Sequence, residues 1–201
     1  MNFFPIKEIF YSLQGEGYYC GIPACFIRFE GCDIQCPWCD SKETWIIQKK
    51  DFISIKKIIT RINSFKGKNI IITGGEPMMW DISPLTKLLK KKGYHIHIET
   101  SGSYSIKEKY MDWITISPKK NKLPLIENYN KINELKIIVS DEEDFLFAEE
   151  QSTYVKNNNC ILLLQPEWNN SIEITPKIIS YIKENPKWRI SVQIHKILNI
   201  P

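Results

Sequence analysis

A chain of 201 residues with 43% hydrophobic and 25% charged side chains is long enough to bury a core and too apolar to stay disordered. Its formal charge of +4 comes from Lys and Arg spread along the sequence, and the densest run, Lys90 to Lys92, reads as a solvated helix face, so neither nucleic acid nor a membrane is expected as a partner. No stretch approaches the roughly 18 apolar residues that span a bilayer, and MNFFPIKEIF lacks a leader's pattern; a cytoplasmic protein of one domain, residues 1–201, is expected, with its six cysteines as thiols or metal ligands.

In chain order, ACFIRF at 24–29 reads as a strand, and Ile55, Ile58, Ile59, Ile62 and Phe65 then fall on one face of a helix. NIIIT at 69–73 is a second strand, followed by a helix around Leu85, Leu88 and Leu89. Further strands are expected at YHIHIE, WITIS and LKIIVS, then a helix near 142–156, the strand CILLLQ, a helix from about residue 176, and WRISVQ. Such βα repetition predicts a mostly parallel sheet with helices outside. A complete eight-unit barrel needs about 250 residues, so an incomplete TIM-like barrel of about six mostly parallel strands is predicted.

Unusual residues cluster where strands end: Gly31-Cys32, Gly74-Gly75-Glu76-Pro77, Thr100-Ser101-Gly102, Ser117-Pro118-Lys119 and Gln165-Pro166. In parallel α/β architectures that edge binds ligands. Cys32, Cys36 and Cys39 lie there with the spacing CxxxCxxC. A structural zinc site wants four protein ligands, and His95, His97, His195 or Cys160 could supply the fourth, although His95 and His97 alternate along one strand. A cubane iron-sulfur cluster needs only three thiolates if its fourth iron takes an outside ligand. Spacing alone leaves both possibilities open.

With Trp38 just before the last cysteine and GGEP at 74–77, the motif resembles that of radical S-adenosylmethionine enzymes. The resemblance implies a 4Fe-4S cluster on Cys32, Cys36 and Cys39, whose open iron is chelated by S-adenosylmethionine and generates the catalytic radical, and a reducing partner such as flavodoxin. Residues 10–41, FYSLQGEGYYCGIPACFIRFEGCDIQCPWCDS, closely resemble the 7-carboxy-7-deazaguanine synthase family, as do TGGEP at 73–77, ETSG at 99–102, SPK at 117–119, Gln165-Pro166 and QIHKILNIP at 193–201.

That resemblance implies conversion of 6-carboxy-5,6,7,8-tetrahydropterin to 7-carboxy-7-deazaguanine with loss of ammonia, S-adenosylmethionine being used catalytically, on the way to queuosine and other deazapurines. It assigns Leu13, Gln14, Gly15, Glu16, Arg28, Thr73 and the terminal carboxylate of Pro201 to the pterin substrate. Arg28 is suited to a carboxylate by its planar fork. It assigns Trp38, Cys39, Asp40, Gly75, Glu76, Ser117, Pro118, Lys119 and Gln165 to S-adenosylmethionine, and it implies a homodimer. The family's magnesium-binding Thr is replaced here by Ser41, which offers the same hard oxygen with a freer rotamer. Cys20, Cys25 and Cys160 are read as small hydrophobes. Two other classes share the cysteine spacing, an activating enzyme acting on a partner's glycine and a zinc-bearing binding module.

Overall fold

Isoleucine supplies the pattern that builds the sheet. The computed structural model describes residues 3–201; Met1 and Asn2, counted in the expected single domain, lie outside the described residues. The strands are β1 (Phe3–Leu13), β2 (Pro23–Phe29), β3 (Phe52–Ser54), β4 (Asn69–Gly74), β5 (His95–Thr100), β6 (Trp113–Ile116), β7 (Glu134–Val139), β8 (Ile161–Pro166) and β9 (Trp188–Ile190). The helices are α1 (Ile55–Ile62), α2 (Ser83–Lys91), α3 (Glu143–Thr153), α4 (Ser171–Glu184) and α5 (Ile194–Leu198).

Among the described residues nine strands form one sheet in the order β3-β1-β2-β4-β5-β6-β7-β8-β9. From β2 through β9 the pairing is parallel, while β1 runs antiparallel to both β2 and β3. The expected partial barrel is therefore present but larger than about six strands. The difference begins with β1, whose apolar alternation is broken by a bulge between Ile6 and Glu8, and with β3, which is three residues long.

One face of each strand meets the helices. Ile27, Ile70, Ile72, Ile96, Ile98, Ile114, Ile116, Leu135, Ile137 and Val139 pack with Ile58 and Ile62 of α1, Leu85 and Leu89 of α2, Phe145 and Ala148 of α3, and Ile174 and Ile178 of α4. Each of the larger of these side chains contributes about 1.5–3 kcal/mol by burial. Period-two alternation sends the intervening residues inward, and here they are mostly polar: Arg28, Thr73, His97, Glu99, Thr115, Lys136 and Gln165 share the inner face, with Arg28 in register with Thr73 and Glu99 with Thr115. The chemistry thus occupies the inner wall as well as the rim.

Two local expectations change. The fourth helix starts at Ser171 and carries Pro176 within it, because the Glu167 carboxylate accepts from the backbone N–H groups of Asn169 and Asn170, each at 3.0 Å, and winds the chain into a single 3-10 turn that leads straight into α4. Lys90 is not simply solvated: its ammonium lies 2.6 Å from Asp112, which also accepts from the Ile96 N–H at 2.7 Å and so ties α2 to β5.

Candidate active site

The strand C-termini and the inner wall enclose one cavity of about 390 Å³. Leu13, Gln14, Gly15, Glu16, Arg28, Thr73 and Pro201 line it, and so do Cys32, Cys36, Trp38, Cys39, Asp40, Ser41, Gly75, Glu76, Ser117, Lys119 and Gln165. Among the expected site residues Pro118 alone is missing from the wall; it is buried behind it.

The cysteines lie on a loop between β2 and residue 45 that is pinned at both ends. The Gly31 N–H donates to the Thr44 carbonyl at 2.8 Å, Cys32 N–H to Trp45 at 3.3 Å, and Cys39 N–H closes a turn onto the Cys36 carbonyl at 3.0 Å. Gly31 takes φ +93° to enter this loop, a conformation other residues rarely adopt. Cys36 is buried, and Cys32 and Cys39 are half-buried. Burial pushes the Cys36 thiol up against the opposing pull of Lys119. Among the described residues no three Cys, His, Asp or Glu side chains are already gathered at metal-ligand distance; the three thiols share a single short loop and a single cavity wall, which suits three corners of a cubane.

Of the candidates for a fourth ligand, only His195 lines the cavity, and a Cβ at Gly15 would meet its Nδ1 at 2.1 Å, so its ring packs on the LQGEG loop. His97 is buried with its Nε2 2.8 Å from the Thr115 hydroxyl, and burial lowers its pKa to about 4. His95 and Cys160 are not on the cavity.

The GGEP loop abuts the cysteines. Gly75 N–H donates to Phe29 at 2.9 Å and Glu76 N–H to Gly31 at 2.7 Å. Glu76 is buried and saturated: its carboxylate accepts from the Thr100 hydroxyl at 2.5 Å, the Ser101 N–H at 2.8 Å, the Ser101 hydroxyl at 2.5 Å and the Met78 N–H at 2.9 Å. It holds the loop and the TSG turn together. Lys119 donates to the Ser117 carbonyl and hydroxyl at 2.7 and 2.6 Å and lies 5.1 Å over the Trp38 ring; burial brings its pKa down to about 8, with Cys36 pulling the other way.

At the other wall, Arg28 pairs through Nε with Glu8 at 2.7 Å and donates from Nη1 to the Ser41 hydroxyl at 3.2 Å. Ser41 in turn lies 3.3 Å from an Asp40 carboxylate oxygen. Asp40 receives Lys196 at 3.2 Å and Gln193 at 3.2 Å, so the segment after β9 is fastened over the cysteine loop.

Several cavity residues carry no sequence expectation. Glu99 accepts from Gln14 at 2.8 Å and from Thr73 at 3.0 Å; it stands in the quoted ETSG motif, yet only closure of the sheet shows what it touches. Lys136 forms an ion pair with Glu16, and its signal is a lone charge inside the apolar strand LKIIVS. Glu8, Gln193 and Lys196 also face the cavity.

Residues 26–120 match the Radical SAM superfamily. Over 197 residues the chain is 48% identical to 7-carboxy-7-deazaguanine synthase of Flavobacterium psychrophilum, covering 98% of this chain and 92% of that one. The corresponding synthase of Synechocystis sp. is 44% identical over 197 residues, at 98% and 93% coverage. The crystal structure of QueE from Escherichia coli superposes with a TM-score of 0.83 at 32% identity, covering 95% of this chain and 94% of that one.

Proposed function

The chain belongs to the 7-carboxy-7-deazaguanine synthases, radical S-adenosylmethionine enzymes of queuosine biosynthesis, and from that premise we propose how its residues share the conversion of 6-carboxytetrahydropterin to 7-carboxy-7-deazaguanine. The observation that carries the assignment is the single cavity shared by the cysteine loop and the Arg28-Thr73-Glu99 wall.

Cys32, Cys36 and Cys39 hold the 4Fe-4S cluster. Trp38, Asp40, Gly75, Glu76, Ser117, Lys119 and Gln165 surround S-adenosylmethionine, and Pro118 contributes from behind the wall by setting the path from Ser117 to Lys119. When bound, the two groups would supply the radical chemistry that takes hydrogen from the substrate. The protein's part is placement and exclusion of water. Gly75 lets backbone approach the cluster side, and the saturated Glu76 fixes that approach.

Leu13, Gln14, Gly15, Glu16, Thr73 and Pro201 bound the pterin. Arg28 receives its carboxylate: it lines the cavity with Nε committed to Glu8 and Nη1 to the Ser41 hydroxyl, at the edge where that carboxylate would sit. The Ser41 hydroxyl, beside Asp40, is the protein oxygen that would hold magnesium, a hard cation that would stabilise negative charge on the substrate. The working unit is a cytoplasmic homodimer reduced by a flavodoxin-type donor. The sheet ends at β9, where Ile190 and Val192 are exposed, and no described helix is long and apolar enough to cross a membrane.

Anaerobic protein reconstituted with iron and sulfide, given the pterin, S-adenosylmethionine and a reductant, is expected to release the deazaguanine and ammonia, faster with magnesium and without net loss of S-adenosylmethionine. Cleavage of S-adenosylmethionine with no deazaguanine would refute the substrate assignment. Arg28→Ala is expected to raise KM for the pterin about ten- to a hundredfold, as loss of a charge-assisted contact does, while iron content stays at the wild-type level. An unchanged KM would remove Arg28 from the substrate carboxylate.

A further inference from the structure

A lysine in the middle of a buried strand needs an explanation. In β7, Leu135, Ile137 and Val139 point to the helices and are fully buried, which sends Lys136 inward, where its side chain is 6% exposed. An ammonium so placed persists only with ionic partners. It meets Glu16 directly, and the charges of Glu99 and Glu134 act on it as well.

Those partners arrive from every side. Glu16 comes from the loop after β1 and is also held by Gln193 at 2.6 Å. Glu99 comes from β5 and collects Gln14 and Thr73. Glu134, on β7 itself, is occupied by the Tyr18 N–H at 3.0 Å and Trp113 Nε1 at 3.3 Å. His97 of β5, Lys119 after β6, Asp40 beyond Glu16, Cys20 beside Glu16, and Tyr19 and Cys160 beside Glu134 are further titratable groups near this cluster. Glu16 and Glu99 line the cavity; Glu134 does not.

A pterin offers ring N–H groups as donors, and an ionised carboxylate accepts them where a protonated one would donate instead. Resting on the substrate assignment above, we propose that Lys136 is a positioning residue: its ammonium keeps Glu16 and Glu99 as a fixed pair of charged acceptors for the N–H edge of the substrate's ring. Burial alone would raise both carboxyls, and Lys136 beside them holds both below the usual carboxylate range. Without it burial wins, their pKa values climb, and the acceptors are progressively lost as pH falls.

The test uses reconstituted holoenzyme and 6-carboxytetrahydropterin. Lys136→Met is expected to raise KM about a hundredfold near about pH 6 and about tenfold or less near about pH 9, since each unit of carboxyl pKa is a factor of ten. Lys136→Arg, which keeps the charge, is expected to stay within about threefold of wild type across that range. An infrared band of a protonated carboxyl, sensitive to deuterium, is expected to appear in Lys136→Met near about pH 6 beyond any that Glu134, raised by burial, gives in wild type. A KM raised by one constant factor at every pH, or no new carboxyl band, would overturn the proposal. Should Lys136→Met not fold, the charge-balanced pair Lys136→Met with Glu99→Gln carries the same test, because Glu16 is still left unpaired. A flat KM profile in that protein would overturn it equally. Wild-type holoenzyme that never turns over the pterin would instead refute the substrate assignment, an outcome separable from misbehaviour of the variants alone.

Discussion

Replacing Cys36 by alanine is expected to give a folded protein that forms no brown 4Fe-4S chromophore and whose turnover falls by more than about a thousandfold, since changes one shell further from a metal already cost ten- to a hundredfold. Folding survives because the change removes one sulfur from a residue that is 7% exposed, costing about 1 kcal/mol. Chemistry does not survive, because Cys36 is the middle ligand of a loop fixed at Gly31, Cys32 and Cys39 by backbone hydrogen bonds, and no other thiol can be moved in. Cys25 and Cys160 are the controls. Burial pushes both thiols up to about 12, so they are poor sources of thiolate, and neither lines the cavity. Cys160→Ala should keep full iron, sulfide and turnover. Iron and sulfide content with visible absorbance after anaerobic reconstitution checks both proteins. A normal chromophore in Cys36→Ala would show that the cluster is held elsewhere.

What could be foreseen divides along local and non-local geometry. The cysteine loop and GGEP were legible because each is a short run whose spacing is its chemistry, and the parallel strands because isoleucines repeat every second residue against helices with their own period. The strand β1 was not, since its buried residues Phe4, Pro5 and Ile6 are consecutive rather than alternating, and beyond the bulge none of its residues is fully buried. The polar inner wall was the larger omission. Glu99 and Lys136 belong to different strands, β5 and β7, and each alone looks like a polar interruption of an apolar run. Glu16 and Lys136 are 120 positions apart, and Gln193 reaches Glu16 across 177. Their partnership exists only once the sheet curls, which no local periodicity encodes. Pro118 shows the converse: a motif places it among site residues, and packing sets it behind them.

The second large effect is expected at Gly74. Its φ of +117° lies where side chains are rarely tolerated, and a Cβ there would stand 2.4 Å from both the backbone N and O of Phe29. Neither atom can retreat, because Phe29 is paired with Gly74 in the β2–β4 ladder and its carbonyl receives the Gly75 N–H. Gly74→Ala therefore combines strain with backbone overlap, at a cost on the order of 3 kcal/mol or more. For a chain of this length that lowers Tm by roughly 6–12 °C. Gly93 separates the two contributions: it also has positive φ, +77°, but nothing lies within 4 Å of its would-be Cβ. Gly93→Ala is expected to cost about 1 kcal/mol and to leave iron content unchanged. In Gly74→Ala the relief of overlap pushes β2 and its Gly31-Cys32 extension away from the GGEP loop, so iron content should fall along with Tm. Calorimetry and iron analysis on the two variants decide the matter. Equal losses in both would mean that strain alone is at work and that close backbone approach does not hold the cysteine loop in place.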